Sequence, residues 1–280
     1  MNTPVLPGSL VSVDWLAQHH GHPRLVLLDA TFQLPGAADT TVPRRIPGAR
    51  RFDFDQEICD RENPLPHMLP QATDFERQVR ELGVNQDSLI VVYDRVGTYS
   101  SPRGWWMFRA MGHDRVAVLD GGLPAWEAAG HTSEPVQPEP PGQGDFTARL
   151  RQELVSNVDQ VAAALEDNGC VVLDARSAGR FQGKAPEPRA GLRGGHMPNA
   201  RNLPFDQVQE DGRMQTLEAL SRRLRSEVGA EQHLICSCGS GVTACILALA
   251  ADLAGHSRIS VYDGSWSEWG LPSDRPVVSD

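Results

Sequence analysis

The sequence predicts an α/β fold in two tandem copies, each a mainly parallel sheet with helices on both faces. The first observation behind this is a repeat. "SVDWLAQHH" then "LVLLDA" corresponds to "SNVDQVAAALED" then "CVVLDA", so that Asp14 and Asp159, and Asp29 and Asp174, are each displaced by 145 residues. "IPGAR" (46–50) matches "MPNAR" (197–201), "SLIVVYD" (88–94) matches "HLICSC" (233–238), and "VLDGGLPAW" (118–126) matches "VYDGSWSEW" (261–269). A repeat unit covering half the chain is far too long for a solenoid and marks a duplicated domain. The second observation is that each copy alternates short Val/Ile/Leu-rich runs with longer helical patterns, as buried parallel strands and their covering helices do. The third is "HTSEPVQPEPPGQGD" (131–145), whose four prolines and two glycines read as an extended linker. The expected organisation is an N-terminal domain over 1–132, a Pro-rich linker over 133–150 and a C-terminal domain over 151–280.

Taken in order, Ser12 and Asn157 are the candidate caps of the first helix in each copy. "LVLLD" and "CVVLD" follow as buried strands whose carboxyl ends carry Asp29 and Asp174. "SLIVVY" and "HLICS" are the next central strands, and in such folds ligands sit at the carboxyl ends of strands. Cys238 stands at that place in the second copy, and Asp94 stands there in the first. Between Ala175 and Ala200 the second copy has six residues more than the first has between Ala30 and Ala49, and that insertion contains Arg180, Lys184 and Arg189. Conversely, the first copy has seven extra residues before Asp94, in a stretch containing Asp55 and His67. Divergence in length at these two places suggests that both face one site between the domains.

Composition bounds the possible functions. A chain of 280 residues with 40% apolar and 22% charged content reads as soluble and globular. The longest apolar stretch, 244–251, is far below the roughly 20 residues of a membrane helix. No export signal is visible at the start, so the cytoplasm is the expected location. Five cysteines (59, 170, 236, 238 and 245) without disulfide-framework spacing fit free thiols in a reducing compartment. A formal charge of −10 argues against nucleic-acid and anionic-membrane partners. An anionic substrate would need local arginines.

The loop "CGSGVT" (238–243) between the strand "HLICS" and the apolar helical run "ACILALA" is built around its first residue. Gly239 and Gly241 are expected to take φ > 0 and turn N–H groups inward as an anion nest. The helix starting near Val242 or Thr243 adds the positive end of its dipole, and both effects favour thiolate over thiol. Cys238 is therefore the expected nucleophile. Cys236 and Cys245 read as core, Cys170 as the start of a buried strand and Cys59 as a loop thiol.

With these residues in view, the chain resembles the tandem-domain rhodanese family, in its 3-mercaptopyruvate sulfurtransferase branch. The motifs that carry the resemblance are "CGSGVT", "GRFQG…PEPR" (179–189), "HMLP" (67–70), "SSPRGWWMFRAMGH" (100–113) and "DGSWSEWG" (263–270). Where the family has Gly-His-Ile-Pro-Gly-Ala, this chain has "GHMPNA" and "RRIPGA"; Asn199 is a left-handed substitute for glycine. The resemblance implies two tandem rhodanese-like domains, of which only the C-terminal one is catalytic. It implies Cys238 as the sulfur carrier, with Ser240, His67 and Asp55 as a proton-handling set. Arg180 and Arg189 would be substrate ligands, with Gly239, Gly241, Val242 and Thr243 lining the loop. The implied substrate is 3-mercaptopyruvate, the acceptor thioredoxin, a small thiol or cyanide, and neither a metal nor a cofactor is called for. Thiosulfate sulfurtransferase is the alternative, but such loops present cations after the cysteine, and Gly239 and Ser240 supply none. A phosphatase of the Cys-x5-Arg type fails because Ala244 stands in the arginine position. The aspartates of the two "DG" turns, Asp120 and Asp263, read as structural.

Overall fold

Five parallel strands build the N-terminal sheet: β1 (Leu10–Val11), β2 (Leu25–Asp29), β3 (Arg50–Arg51), β4 (Leu89–Tyr93) and β5 (Val116–Leu119), in the order β1–β5–β4–β2–β3. The C-terminal sheet repeats this path with β6 (Val155–Ser156), β7 (Cys170–Asp174), β8 (Arg201–Asn202), β9 (His233–Ser237) and β10 (Ile259–Tyr262), in the order β6–β10–β9–β7–β8. The two copies predicted from the repeat are thus present as two sheets of one topology. The structure, a computed structural model, describes residues 4–32, 43–137 and 142–280. Residues 138–141, with three of the linker prolines, lie outside the described residues.

The chain forms two units. One comprises Met1–Cys59, Pro70–Leu150 and Asp211–Met214; the other comprises Asp60–Leu69, Arg151–Glu210 and Gln215–Asp280. The segment carrying His67 therefore belongs to the C-terminal unit, while Asp55 stays in the N-terminal one.

In the N-terminal unit every residue of β4 is buried, so the strand needs apolar side chains on both faces, and "LIVVY" supplies them. One face packs Val91 and Tyr93 against α1 (Val13–His19) and α4 (Gly122–Ala128), through Leu16, Leu123 and Trp126. On the other side Phe52, Phe75 of α2 (Ala72–Glu81) and Phe108 of α3 (Ser101–Ala110) form an aromatic cluster with ring centroids 5.2–6.3 Å apart. Part of the expected linker joins this cluster. Gly142 and Gly144 donate their N–H groups to the carbonyls of Glu81 and Arg80 (2.5 and 2.9 Å), and the ring of Phe146 is fully buried against Phe75, Phe108 and His113. A buried aromatic of that size contributes about 1.5–3 kcal/mol, enough to hold the strap down.

The C-terminal unit follows the same plan. Val172, Ile235 and Tyr262 pack under α5 (Val158–Ala164) and α9 (Ser265–Trp269), with Val161, Trp266 and Trp269. α6 (Ala178–Phe181) follows β7, α7 (Leu217–Glu227) precedes β9, and α8 (Ala244–Leu253) leaves β9 with residues 244–251 all buried. Both predicted caps form. Ser12 Oγ accepts the N–H of Trp15 at 3.1 Å, and Asn157 closes a reciprocal capping box with Gln160. Asn199 takes φ 62°, where Gly48 of the other copy takes 73°. No helix among the described residues is long and apolar enough to cross a membrane.

Candidate active site

Strand β9 ends at Ser237 and α8 begins at Ala244, so the six residues 238–243 bridge the carboxyl end of the central strand and a helix N-terminus. Thr243 is the N-cap residue, so the helix itself begins one position past the later of the two expected starts. Gly241 takes φ 76°, as the nest argument requires, but Gly239 is not left-handed. Its lack of a side chain answers a different need: a Cβ there would stand 2.9 Å from Nη2 of Arg180. The expectation for Gly239 is thus corrected from backbone freedom to room for a guanidinium.

Cys238 is buried, as are Ser240 and Val242. What such a loop can hold is visible in the other copy, where Asp94 takes the place of Cys238. One carboxylate oxygen of Asp94 accepts N–H groups from Tyr99, Ser100 and Ser101 at 2.9 Å and the hydroxyl of Ser101 at 2.8 Å. The other oxygen accepts the N–H of Val96 at 3.1 Å. Burial pushes the Asp94 carboxyl up, and these donors pull against it. The N-terminal loop is an anion nest closed by its own carboxylate. In the C-terminal loop the equivalent N–H groups of Thr243 and Ala244 donate to no acceptor among the described residues.

The loop is held from below by the "DGSWS" turn. The N–H of Cys238 donates to Ser265 Oγ (3.1 Å), and the Cys238 carbonyl accepts the N–H of Trp266 (2.9 Å). The Gly239 carbonyl accepts both the N–H and the hydroxyl of Ser267, at 2.8 and 2.7 Å. The other thiols are accounted for. Burial, followed by the neighbouring Cys245 and Cys238, pushes Cys236 well above the ordinary thiol range. The Cys245 thiol donates to the Gly241 carbonyl at 3.2 Å, and that of Cys59 to the Asp55 carbonyl at 3.4 Å. Burial also raises Cys170, whose thiol donates to Asp167.

Arg180, on the short α6, reaches the loop because a buried carboxylate aims it. Glu187 accepts from Arg180 Nη2 at 2.6 Å and Nε at 3.3 Å, and from Arg176 Nη1 at 2.8 Å. Arg176 is itself buried, with Nη2 2.7 Å from Asp174 at the end of β7 and its guanidinium over the Trp266 ring. Charges alternate along Asp174, Arg176, Glu187 and Arg180, from the core out to a guanidinium that is 24% exposed. Sequence reasoning missed Glu187 and Arg176. The motif "PEPR" shows the carboxylate next to Arg189, but its partners are Arg176 and Arg180, which the sequence alone does not point to.

His67 is buried at φ 63°, and its Nε2 lies 3.2 Å from Nη2 of Arg189. A guanidinium only donates, so Nε2 is the acceptor and the ring proton sits on Nδ1. The same segment is fixed by its backbone: the N–H of Leu69 donates to Asp263 Oδ2 at 2.7 Å, and the N–H of Asp60 to the carbonyl of Met68 at 2.9 Å. The C-terminal unit therefore sets Arg180 against the Cys238 loop at Gly239, and Arg189 against His67. Asp55, in the N-terminal unit, accepts from Gln56 Nε2 at 2.7 Å.

Residues 12–129 and 157–271 each match the rhodanese-like domain. The chain is 40% identical over 273 residues to the 3-mercaptopyruvate sulfurtransferase of Escherichia coli K12, covering 95% of this chain and 96% of that protein. It is also 40% identical over 279 residues to the thiosulfate sulfurtransferase of Bos taurus, covering 95% of this chain and 93% of that one. Among solved structures, the Escherichia coli 3-mercaptopyruvate sulfotransferase SseA superposes with a TM-score of 0.82 at 37% identity, covering 93% of this chain and 100% of that chain.

Proposed function

This chain belongs to the rhodanese-like domain family, and from that premise we propose that it is a sulfurtransferase that takes the sulfur of 3-mercaptopyruvate onto Cys238. Overall identity does not choose the donor, because relatives named for mercaptopyruvate and for thiosulfate match equally well. The observation that carries the choice is the side-chain-free Gly239 beneath Arg180. A cationic side chain after the cysteine, which a sulfonate calls for, would occupy the space in which this guanidinium lies.

In the proposed reaction Arg180 and Arg189 hold the carboxylate and carbonyl of the keto acid, two planar forks matching planar acceptors. The Cys238 thiolate attacks the substrate sulfur, an S–S bond forms, and the C–S bond breaks with its electron pair on carbon. The pyruvate enolate so released is stabilised by the arginines and takes a proton through Ser240 and His67 to become pyruvate. Arg189 in this arrangement occupies Nε2 of His67, so a keto acid that engages Arg189 also frees that nitrogen to take the proton of the transferred sulfur, which His67 and Ser240 then pass to the enolate carbon while the persulfide is left as an anion. Asp55 is assigned the orienting carboxylate on the family resemblance alone. The outer sulfur of the persulfide rests against the loop N–H groups, as the Asp94 carboxylate does in the other copy. A thiol such as thioredoxin, a small thiol, or cyanide then removes it. Five free thiols suit a reducing compartment such as the cytoplasm. The test is a steady-state comparison of mercaptopyruvate and thiosulfate with one acceptor held constant. A higher kcat/KM for mercaptopyruvate is expected, and a preference for thiosulfate refutes the assignment.

A further inference from the structure

The "DGSWS" turn (263–267) lies outside the reacting groups, yet it touches two of the elements that the reaction must bring together. Asp263 receives the N–H of Leu69, two residues from His67. Ser265, Trp266 and Ser267 make four hydrogen bonds to the backbone of Cys238 and Gly239. We propose that this turn is the positioning element of the site, with Asp263 placing His67 and Ser265 placing Cys238, so that one five-residue piece of backbone sets the proton donor against the nucleophile. This rests on the sulfurtransferase reading above.

The duplicated fold supplies an internal control. In the N-terminal unit Asp120 Oδ1 accepts the N–H of Met214 at 2.9 Å, just as Asp263 accepts that of Leu69. Leu69 and Met214 are 145 residues apart, the spacing of the repeat. The clamp of a turn aspartate on a captured segment is therefore common to both copies, which by itself is a scaffold property. What differs is the residue that each clamp carries. His67 at φ 63° corresponds to Gly212 at 74°, and Ser265 at φ 47° corresponds to Gly122 at 55°. In the copy without a thiol, both left-handed positions are glycine. In the copy with Cys238, both bear a side chain, although a left-handed non-glycine residue costs roughly 1–2 kcal/mol. The fold does not require that strain, since glycine makes the same two turns in the other copy. It persists where the side chains meet the site. Ser265 Oγ accepts the Cys238 N–H while donating to the Tyr262 carbonyl at 2.8 Å, and the His67 ring meets Arg189.

The experiment separates persulfide formation from mercaptopyruvate, followed by rapid quench and intact mass, from discharge of the preformed persulfide by cyanide. It uses Ser265→Gly, Asp263→Ala and Asp263→Asn in the full chain. Ser265→Gly removes the acceptor but relieves the left-handed residue, so its melting temperature should stay near the wild-type value while persulfide formation slows about 10-fold, within what sub-ångström misplacement costs. Asp263→Ala should slow the same step by roughly 10- to 100-fold at nearly constant KM and shift its pH profile, with cyanide discharge changing much less. Asp263→Asn, which keeps an oxygen for the Leu69 N–H, should recover most of the rate. A wild-type rate in Ser265→Gly, an Asn variant as slow as the Ala variant, or losses that only track melting temperature would each overturn the proposal. Failure of the underlying reading shows itself separately, as a wild-type protein that forms no persulfide from mercaptopyruvate.

Discussion

Replacing Gly239 with alanine tests the geometry of Arg180, the proposed substrate arginine, with a single methyl group. The new Cβ would stand 2.9 Å from Arg180 Nη2, well inside van der Waals contact, so the guanidinium must retreat by about half an ångström. Its 2.6 Å bond to Glu187 opposes any retreat along the face of that carboxylate, and the same Nη2 makes both contacts. A displaced guanidinium forfeits its proposed charge-assisted hydrogen bond to the keto acid, about 1.5–3 kcal/mol, which corresponds to roughly 10- to 150-fold in kcat/KM for mercaptopyruvate. The fold should not suffer. Gly239 is outside the left-handed region, so alanine there stiffens the unfolded chain, and the melting temperature should hold or rise slightly. The assay is kcat/KM with mercaptopyruvate for the wild type, Gly239→Ala, Arg180→Ala and the double variant. If the methyl acts through Arg180, its effect disappears in the Arg180→Ala background. An equal loss in both backgrounds refutes the reasoning, because the methyl would then act on the loop and not on the guanidinium.

Among the thiols, intact-mass analysis after donor treatment should show one added sulfur on the wild type and on Cys236→Ser and Cys245→Ser, and none on Cys238→Ser; stoichiometric labelling of Cys238→Ser would remove it as the carrier. Stability should also depend on His113. Burial holds this imidazole below its ordinary value of 6.5, and its Nε2 donates to the Ser88 carbonyl at 3.0 Å. The folded state thus keeps His113 neutral while the unfolded chain takes up a proton, so this contribution is complete above pH about 6.5 and is lost as pH falls toward the depressed folded value. His113→Gln, which can still donate to Ser88, should melt with a shallower dependence on pH below that value; an unchanged slope in thermal melts at several pH values would exclude His113 as a source of it.

What could be read from the sequence were features that are local in the chain or periodic along it. The duplication shows as one pattern repeated after 145 residues, while the parallel strands, the caps at Ser12 and Asn157, the left-handed Asn199 and the thiol between "HLICS" and "ACILALA" depend on residues within a few positions of one another. Their physical causes, namely burial on both faces of a strand, an oxygen to receive a free helix N–H, and tolerance of positive φ, act over single turns and are written in residue type. Gly239 was legible as important, but for the wrong cause, because the guanidinium that excludes a Cβ arrives from 59 residues earlier.

The tertiary structure decided the rest. That Glu187 aims Arg180, and that Arg176 ties Glu187 back to Asp174, depends on a loop folding over the end of β7. The segment 60–69 belongs to the C-terminal unit, to which Leu69 is tied by a hydrogen bond spanning 194 residues, to Asp263. Hydrogen bonds and ion pairs act over about 3 Å, and sequence distance does not reveal which polar groups will come within it. The sequence by itself determined which chemical groups this protein owns and the type of fold that carries them; only the folded chain decided which of those groups stand beside one another.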